Sequence, residues 1–116
     1  MYVCLMKTNE LLRGTLKTIV LNLLAENGRM YGYEMVQKVR EQSAGAFELT
    51  EGALYPTLHK LEADGLLTTE KELIGKRVRK YYRLTPVGDK AKVEKVNEFE
   101  KYVRAMRLLL NPKPNL

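Results

Sequence analysis

The sequence predicts a mainly α-helical chain with one small β-hairpin, and two observations carry that prediction. Four segments repeat their apolar residues at helical spacing, while a single stretch around Gly75 pairs two β-prone runs across a turn. The 116 residues are one domain's worth of chain, and 45% hydrophobic with 29% charged residues supports a folded core over wholesale disorder.

The first helix is expected from about Asn9 to Glu26, where Leu12, Leu16, Ile19, Val20, Leu23 and Leu24 recur at the spacing of a buried face. Asn27-Gly28 stops it, since glycine takes a left-handed cap at little cost. Leu11 and Met6 widen the apolar arc, so this helix is expected to touch two neighbours. A second helix opens at Tyr31-Gly32-Tyr33 and runs to about Ala44, with Met35, Val36 and Val39 inward and Gly45 as its end. Phe47 and Leu49 lead into Thr50, the N-cap of a third helix that reaches Asp64, with Gly65 as its stop. On that helix Leu58 and Leu61 fall within about 40° of Leu54. Gly52, Pro56, His59 and Ala63 face outward, flanked by Tyr55 and Lys60, a surface suited to close approach. Pro56 forfeits a backbone hydrogen bond and is expected to kink the helix.

Strands are expected over Leu67–Leu73 and Val78–Leu84, separated by Ile74-Gly75-Lys76-Arg77. Thr85-Pro86 then sets an N-cap before a proline at the first helical position, and the last helix follows over Pro86–Leu110. Helices two and three followed at once by a hairpin have the layout of a winged helix-turn-helix, here with a long C-terminal helix added. The expected division is a winged helix-turn-helix domain over 1–85, a dimerisation helix over 86–110 and a flexible tail over 111–116.

Charge points to a polyanion. The 20 Lys+Arg against 14 Asp+Glu leave a net charge of +6, and the isoelectric point is near 9.5. From Leu66 to Arg83 there are six basic residues and two acidic ones, so the hairpin holds most of that excess. Cations on a protruding turn neutralise phosphates and release counterions, the main electrostatic source of DNA affinity. The alternative is a solvated hairpin edge that lysine and arginine protect from aggregation. On the DNA reading, contacts are expected from Tyr31, Tyr33, Thr50, Tyr55, Pro56, His59 and Lys60, and from Lys76, Arg77, Arg79 and Lys80 on the wing. The third helix offers no outward arginine, asparagine or glutamine, and Glu51, Glu62 and Asp64 make it acidic. Shape and phosphate positioning are therefore expected to outweigh base readout.

On the last helix Val96, Phe99, Val103, Met106 and Leu110 recur in a coiled-coil-like seam. With Leu12 they are the expected dimerisation residues; the alternative is that this helix folds back on the first helix of its own chain. A two-fold dimer would address a pseudo-palindrome with half-sites about 34 Å apart. A small effector would need an apolar cavity between subunits, which Phe99, Met106 and Leu12 could line, though a packed seam uses the same residues.

Other classes find little support. Cys4 is the single cysteine, which excludes an internal disulfide, fits a cytoplasmic location, and offers at most a lone redox thiol. His59 is the single histidine, so there is no histidine or cysteine metal cluster. Phosphate loops, nucleophile elbows and paired catalytic carboxylates are absent, so neither an enzyme nor a cofactor is expected. No apolar run approaches the roughly 18 residues of a membrane span. Met6-Lys7 offers an alternative translation start, which would make the first five residues an extension.

Four stretches carry a family resemblance: Tyr31-Gly32-Tyr33-Glu34, Glu51-Gly52-Ala53-Leu54-Tyr55-Pro56-Thr57-Leu58-His59-Lys60-Leu61-Glu62, Gly65-Leu66-Leu67 and Arg79-Lys80-Tyr81-Tyr82-Arg83-Leu84-Thr85. Together they resemble the PadR family of bacterial transcription regulators, from roughly Leu12 to Gly88. The resemblance implies a winged-helix DNA-binding domain, a C-terminal dimerisation helix and, usually, repression relieved by a small effector. It also accounts for Pro56, which belongs to the family's Leu-Tyr-Pro motif. One departure is the wing turn, Gly75-Lys76-Arg77-Val78-Arg79, where family wings often carry a Gly-Arg-Pro-Arg type turn. The single C-terminal helix resembles the short subfamily. The expected function is a homodimeric repressor that binds double-stranded DNA. The rival is a winged-helix protein-interaction module without sequence-specific DNA binding, which the acidic third helix favours.

Overall fold

The structure, a computed structural model, describes residues 6–7 and 9–111. Cys4 and the tail beyond Asn111 lie outside the described residues. The order is β1 (Met6–Lys7), α1 (Glu10–Asn27), β2 (Arg29–Met30), α2 (Gly32–Gln42), β3 (Phe47–Glu48), α3 (Glu51–Ala63), β4 (Leu67–Ile74), β5 (Arg77–Leu84) and α4 (Pro86–Leu110). This is the expected mainly helical fold with a β-hairpin wing and a long last helix.

Asn9 caps α1 by accepting a hydrogen bond from the Leu12 N–H at 3.0 Å. Leu12, Leu16, Val20, Leu23 and Leu24 are buried as their spacing predicts, and Leu21, outside that pattern, is fully buried too. Two expectations for the wider apolar arc fail: Leu11 is 72% exposed, and Met6 belongs to β1, paired in parallel with Phe47 of β3. The second helix ends at Gln42, short of the expected Ala44. Ala44 and Gly45 both take left-handed backbone angles there, at φ 53° and 82°, which no helix can continue through. The third helix runs on past Pro56 to Ala63 with Leu54, Leu58 and Leu61 buried, as expected, and Pro56 exposed.

The hairpin strands are each one residue longer than expected at the turn, because Ile74 and Arg77 pair directly and leave a two-residue loop. Gly75 has φ 61°, while Lys76 is not among the residues with positive φ. That pattern is the type II′ turn, whose twist matches the strands it joins. A third strand joins the sheet: β2 pairs antiparallel with β5, through Met30 opposite Tyr82. The core lies between α1, α2, α3 and the root of this sheet, where Tyr82 and Leu67 are buried.

The last helix begins where expected. The Thr85 hydroxyl accepts from the Gly88 N–H at 3.0 Å and donates to the Gly65 carbonyl at 2.7 Å, so one side chain caps α4 and ties it to the end of α3. α4 lies along α1 of its own chain, with Ala91 against the core, while Leu108, Leu109 and Leu110 are exposed.

Candidate nucleic-acid interface

Three elements converge on one side of the molecule. The start of α2, the outer face of α3 and the upper part of β5 enclose an open cleft of ≈650 Å³. Tyr31, Tyr33, Tyr55, His59, Arg77, Arg79 and Lys80 all line it, so seven of the eleven expected DNA contacts meet in one place. Thr50, Pro56, Lys60 and Lys76 lie outside the lining. Thr50 and Pro56 are on the exposed start and outer face of α3, and Lys76 is at the wing turn. Ile74 and Val78, which the charge pattern did not single out, join the lining.

Local structure fixes these side chains. Tyr31 precedes α2, and its N–H donates to the Glu34 carboxylate at 3.1 Å, the half of a capping box that orients the first turn. The Tyr31 ring meets the edge of Tyr81 at 5.5 Å between centroids. The Arg79 guanidinium sits 4.1 Å from the Tyr31 centroid, and Arg29 lies 3.9 Å from that of Tyr81 on β5. Arg29, Tyr81, Tyr31 and Arg79 thus interlock, and cation–π attraction holds the wing to the start of α2. Arg79 also donates to the Tyr81 hydroxyl at 3.5 Å, the first reason its pKa is raised. It is part of the wing's attachment as well as a cation facing the cleft.

Not every basic group is available to a polyanion. Arg29 donates to Glu72 at 2.7 Å and to Glu70 at 3.3 Å, and Arg83 reaches Glu70 at 3.0 Å. The hydrogen bond from Arg83, then that from Arg29, holds the Glu70 carboxyl below its ordinary value. Lys60 pairs with Asp64 at 3.2 Å, and Lys80 with Glu62 at 3.7 Å. Both Glu62 and Asp64 belong to the acidic part of the α3 segment, so that acidity is partly neutralised by lysines expected to face DNA. Lys71, Lys76 and Arg77 make no ion pair among the described residues. Arg29 was absent from the expected site. The hairpin register carries its signal: Glu72 pairs with Arg79 and Glu70 with Tyr81, so both carboxylates share the strand face that Arg29 and Arg83 flank.

Gly32 controls the floor of the cleft. A Cβ at this position would meet the Tyr55 hydroxyl at 2.5 Å and its ring at 2.9 Å, so Tyr55 packs on bare backbone. Gly32→Ala is expected to rotate Tyr55 outward, weakening DNA binding severalfold while lowering stability by only about 1 kcal/mol. Fluorescence anisotropy beside a urea melt checks it; equal affinity in the variant would remove Tyr55 from the contact surface.

The expected dimerisation residues separate. Leu12 is buried within its own chain, at the base of the groove between α1 and α4. Val96, Val103 and Met106 are half-buried, Phe99 is 39% exposed and Leu110 is exposed. Phe99 stacks on Tyr102 at 6.4 Å. Both line an open groove of ≈620 Å³ between α1 and α4, together with Leu11, Leu12, Gly14 and Phe47; Met106 is not in its lining.

Among the described residues no group of histidine, cysteine, aspartate and glutamate could hold a metal ion, and no helix is long and apolar enough to cross a membrane. The family model of the transcriptional regulator PadR-like family matches residues 20–94. Transcriptional regulator Rv3488 of Mycobacterium tuberculosis is 37% identical over 95 residues, covering 82% of this chain and 85% of the relative. Two solved structures are similar over nearly the whole chain. A transcriptional regulator from Clostridium thermocellum has a TM-score of 0.82 and 30% identity, covering 89% of this chain and 100% of that one. A PadR family transcriptional regulator from Eggerthella lenta has a TM-score of 0.77 and 33% identity, covering 90% and 88%.

Proposed function

This chain belongs to the PadR-like family of DNA-binding transcriptional regulators, and on that footing we propose that it acts as a cytoplasmic, homodimeric repressor. The observation that carries the reading is the cleft, where the start of α2, α3 and the wing bring seven candidate contacts together. α3 enters the major groove, with Tyr55 and His59 toward base edges and Thr50 and Lys60 toward the backbone. The wing follows the adjacent minor groove and its phosphates through Lys76, Arg77, Arg79 and Lys80. Two copies related by a two-fold axis address half-sites about one helical turn apart.

The exposed side of α4 supplies the dimer seam. Phe99, Tyr102 and the terminal leucines stay uncovered within the chain, more apolar surface than a lone helix end ordinarily leaves in water. Phe99→Glu is expected to convert dimer to monomer with helical content retained, read by light scattering and circular dichroism. A variant that stays dimeric moves the seam elsewhere. The groove between α1 and α4 is where a small apolar effector would bind and release the operator, since its walls belong to the helices that set the spacing between subunits.

The test of the function is anisotropy with duplex DNA from upstream of the protein's own gene, beside a scrambled duplex, at low and near-physiological salt. Tight, salt-sensitive binding that prefers the native duplex supports an autoregulated operator. Equal salt-sensitive binding to both moves the operator to another gene. Binding to neither, even at low salt, sinks the DNA reading in favour of a protein partner.

A further inference from the structure

The wing carries a feature that phosphate binding does not use. Leu73 and Val78 are cross-strand partners immediately below the Gly75-Lys76 turn. They lie on one face of the hairpin, above the Lys71–Lys80 pair and the Thr69–Tyr82 pair. Side chains alternate along a strand, so Tyr82 at the bottom of this face is in the core while its top stands clear of the body. There Leu73 is 71% exposed and Val78 63% exposed. Ile74, on the opposite face beside the turn, is 38% exposed. An exposed hairpin tip is ordinarily polar, because aliphatic surface held in water is unfavourable and invites strand pairing.

Charge identifies what covers it. Lys71 lies below the pair on the same face, Lys76 at the turn above it and Arg77 beside Ile74 on the opposite face. None forms an ion pair among the described residues, whereas Glu70 and Glu72 are engaged by Arg29 and Arg83 on that opposite face. An apolar tip with a cationic rim matches a surface that is apolar at its centre and anionic at both lips. The DNA minor groove is such a surface, with deoxyribose walls between two rows of phosphates and a width of about 6 Å. Aliphatic side chains inserted there unstack base steps and bend the duplex. α3 lacks the arginine, asparagine and glutamine that read bases in bidentate fashion, so Tyr55 and His59 leave a share of the sequence preference to another part of the molecule.

We infer that Leu73 and Val78 form an apolar wedge that the wing inserts into the minor groove, selecting DNA that opens or kinks easily at that point. The inference rests on the DNA-binding reading above and adds to it a specificity determinant acting through deformability rather than charge. Flexible pyrimidine–purine steps are the favoured sequence beneath the wing.

The pair also helps to hold the hairpin, so the test keeps the strands intact. In Leu73→Thr/Val78→Thr, two β-branched residues preserve strand preference and cross-strand pairing while removing the aliphatic surface. Leu73→Met is the conservative companion, and thermal melts establish that all variants fold. The probe is the duplex the parent selects from a random-sequence pool, labelled at both ends so that energy transfer reports bending. The double-threonine variant is expected to bind it about tenfold more weakly, with less bending and no preference for pyrimidine–purine steps. Its salt dependence should match the parent's, because no cation has been removed, and Leu73→Met should behave as the parent does. Arg77→Ala gives the opposite pattern, losing about one unit of salt slope while keeping the step preference. A double-threonine variant with the parent's affinity, bending and preference overturns the wedge and leaves the DNA reading standing. So does a fall in oligomeric mass of the DNA-free double variant, which would assign the tip to a second copy of the chain. A parent that selects no duplex overturns the DNA reading itself, and the wedge with it.

Discussion

Gly88→Ala is expected to destabilise the protein by about 2–4 kcal/mol, although the same exchange in an unobstructed helix stabilises by up to about 1 kcal/mol. The sign reverses because a Cβ at position 88 would collide with the Leu66 carbonyl and would also meet the Leu84 side chain at 3.2 Å. That carbonyl cannot withdraw, since it accepts the Thr85 N–H at 3.0 Å. Moving α4 away instead breaks the bond from the Gly88 N–H to the Thr85 hydroxyl and the one from Thr85 to Gly65. The same contacts fasten α4 to the root of the wing, so the damage reaches both α4 and the cleft beside the wing. Gly52→Ala is the control: nothing lies within 4 Å of a Cβ there, and a gain of about 0.5 kcal/mol is expected. Urea unfolding at matched protomer concentration separates the two. A Gly88→Ala protein as stable as the parent would mean that α4 can slide relative to the wing root.

That clash is a tertiary fact and could not be read from the sequence, whereas the helix around it could. Thr85-Pro86 marked the start of α4 because capping chemistry is local, and Asn111 closes it at the expected residue. The buried stripes of α1 and α3 were legible for a related reason: Leu54, Leu58 and Leu61 share a face in any helix. Leu21 escaped because α1 is covered on more than one side, and periodicity finds a single stripe best. β2 escaped because two residues, Arg29 and Met30, carry no period; their strand exists only through pairing with Arg83 and Tyr82. At the hairpin, composition located the glycine turn, but the loop length depends on φ at Gly75 and Lys76. The site divides in the same way. Which residues are basic was plain, while which of them are already held by Glu62, Asp64, Glu70 or Glu72 follows from register and helix placement.

The wing cations are therefore not equivalent, and the second large effect depends on the difference. Arg77→Ala with Arg79→Ala is expected to weaken binding to every duplex, by about 100-fold near physiological salt, and to lower the salt slope by about two. Changes at Tyr55 or His59 should instead alter which sequences are preferred. The single variants separate charge from attachment. Arg77 makes no ion pair among the described residues, so Arg77→Ala should lose slope and affinity in proportion. Arg79 rests on Tyr31 and donates to Tyr81, so Arg79→Ala should lose more affinity than its slope accounts for. Arg79→Lys keeps the charge but not the planar stacking or the hydroxyl contact. It should hold the parent's slope with affinity reduced severalfold, because the wing then sits less firmly against α2. A double alanine variant that binds as the parent does would show that neither arginine contacts phosphate, leaving Lys76, Lys80 and α3 to hold the DNA. If Arg79→Lys matches the parent in affinity as well as slope, Arg79 acts through charge alone, and the interlocked rings of Tyr31 and Tyr81 suffice to anchor the wing.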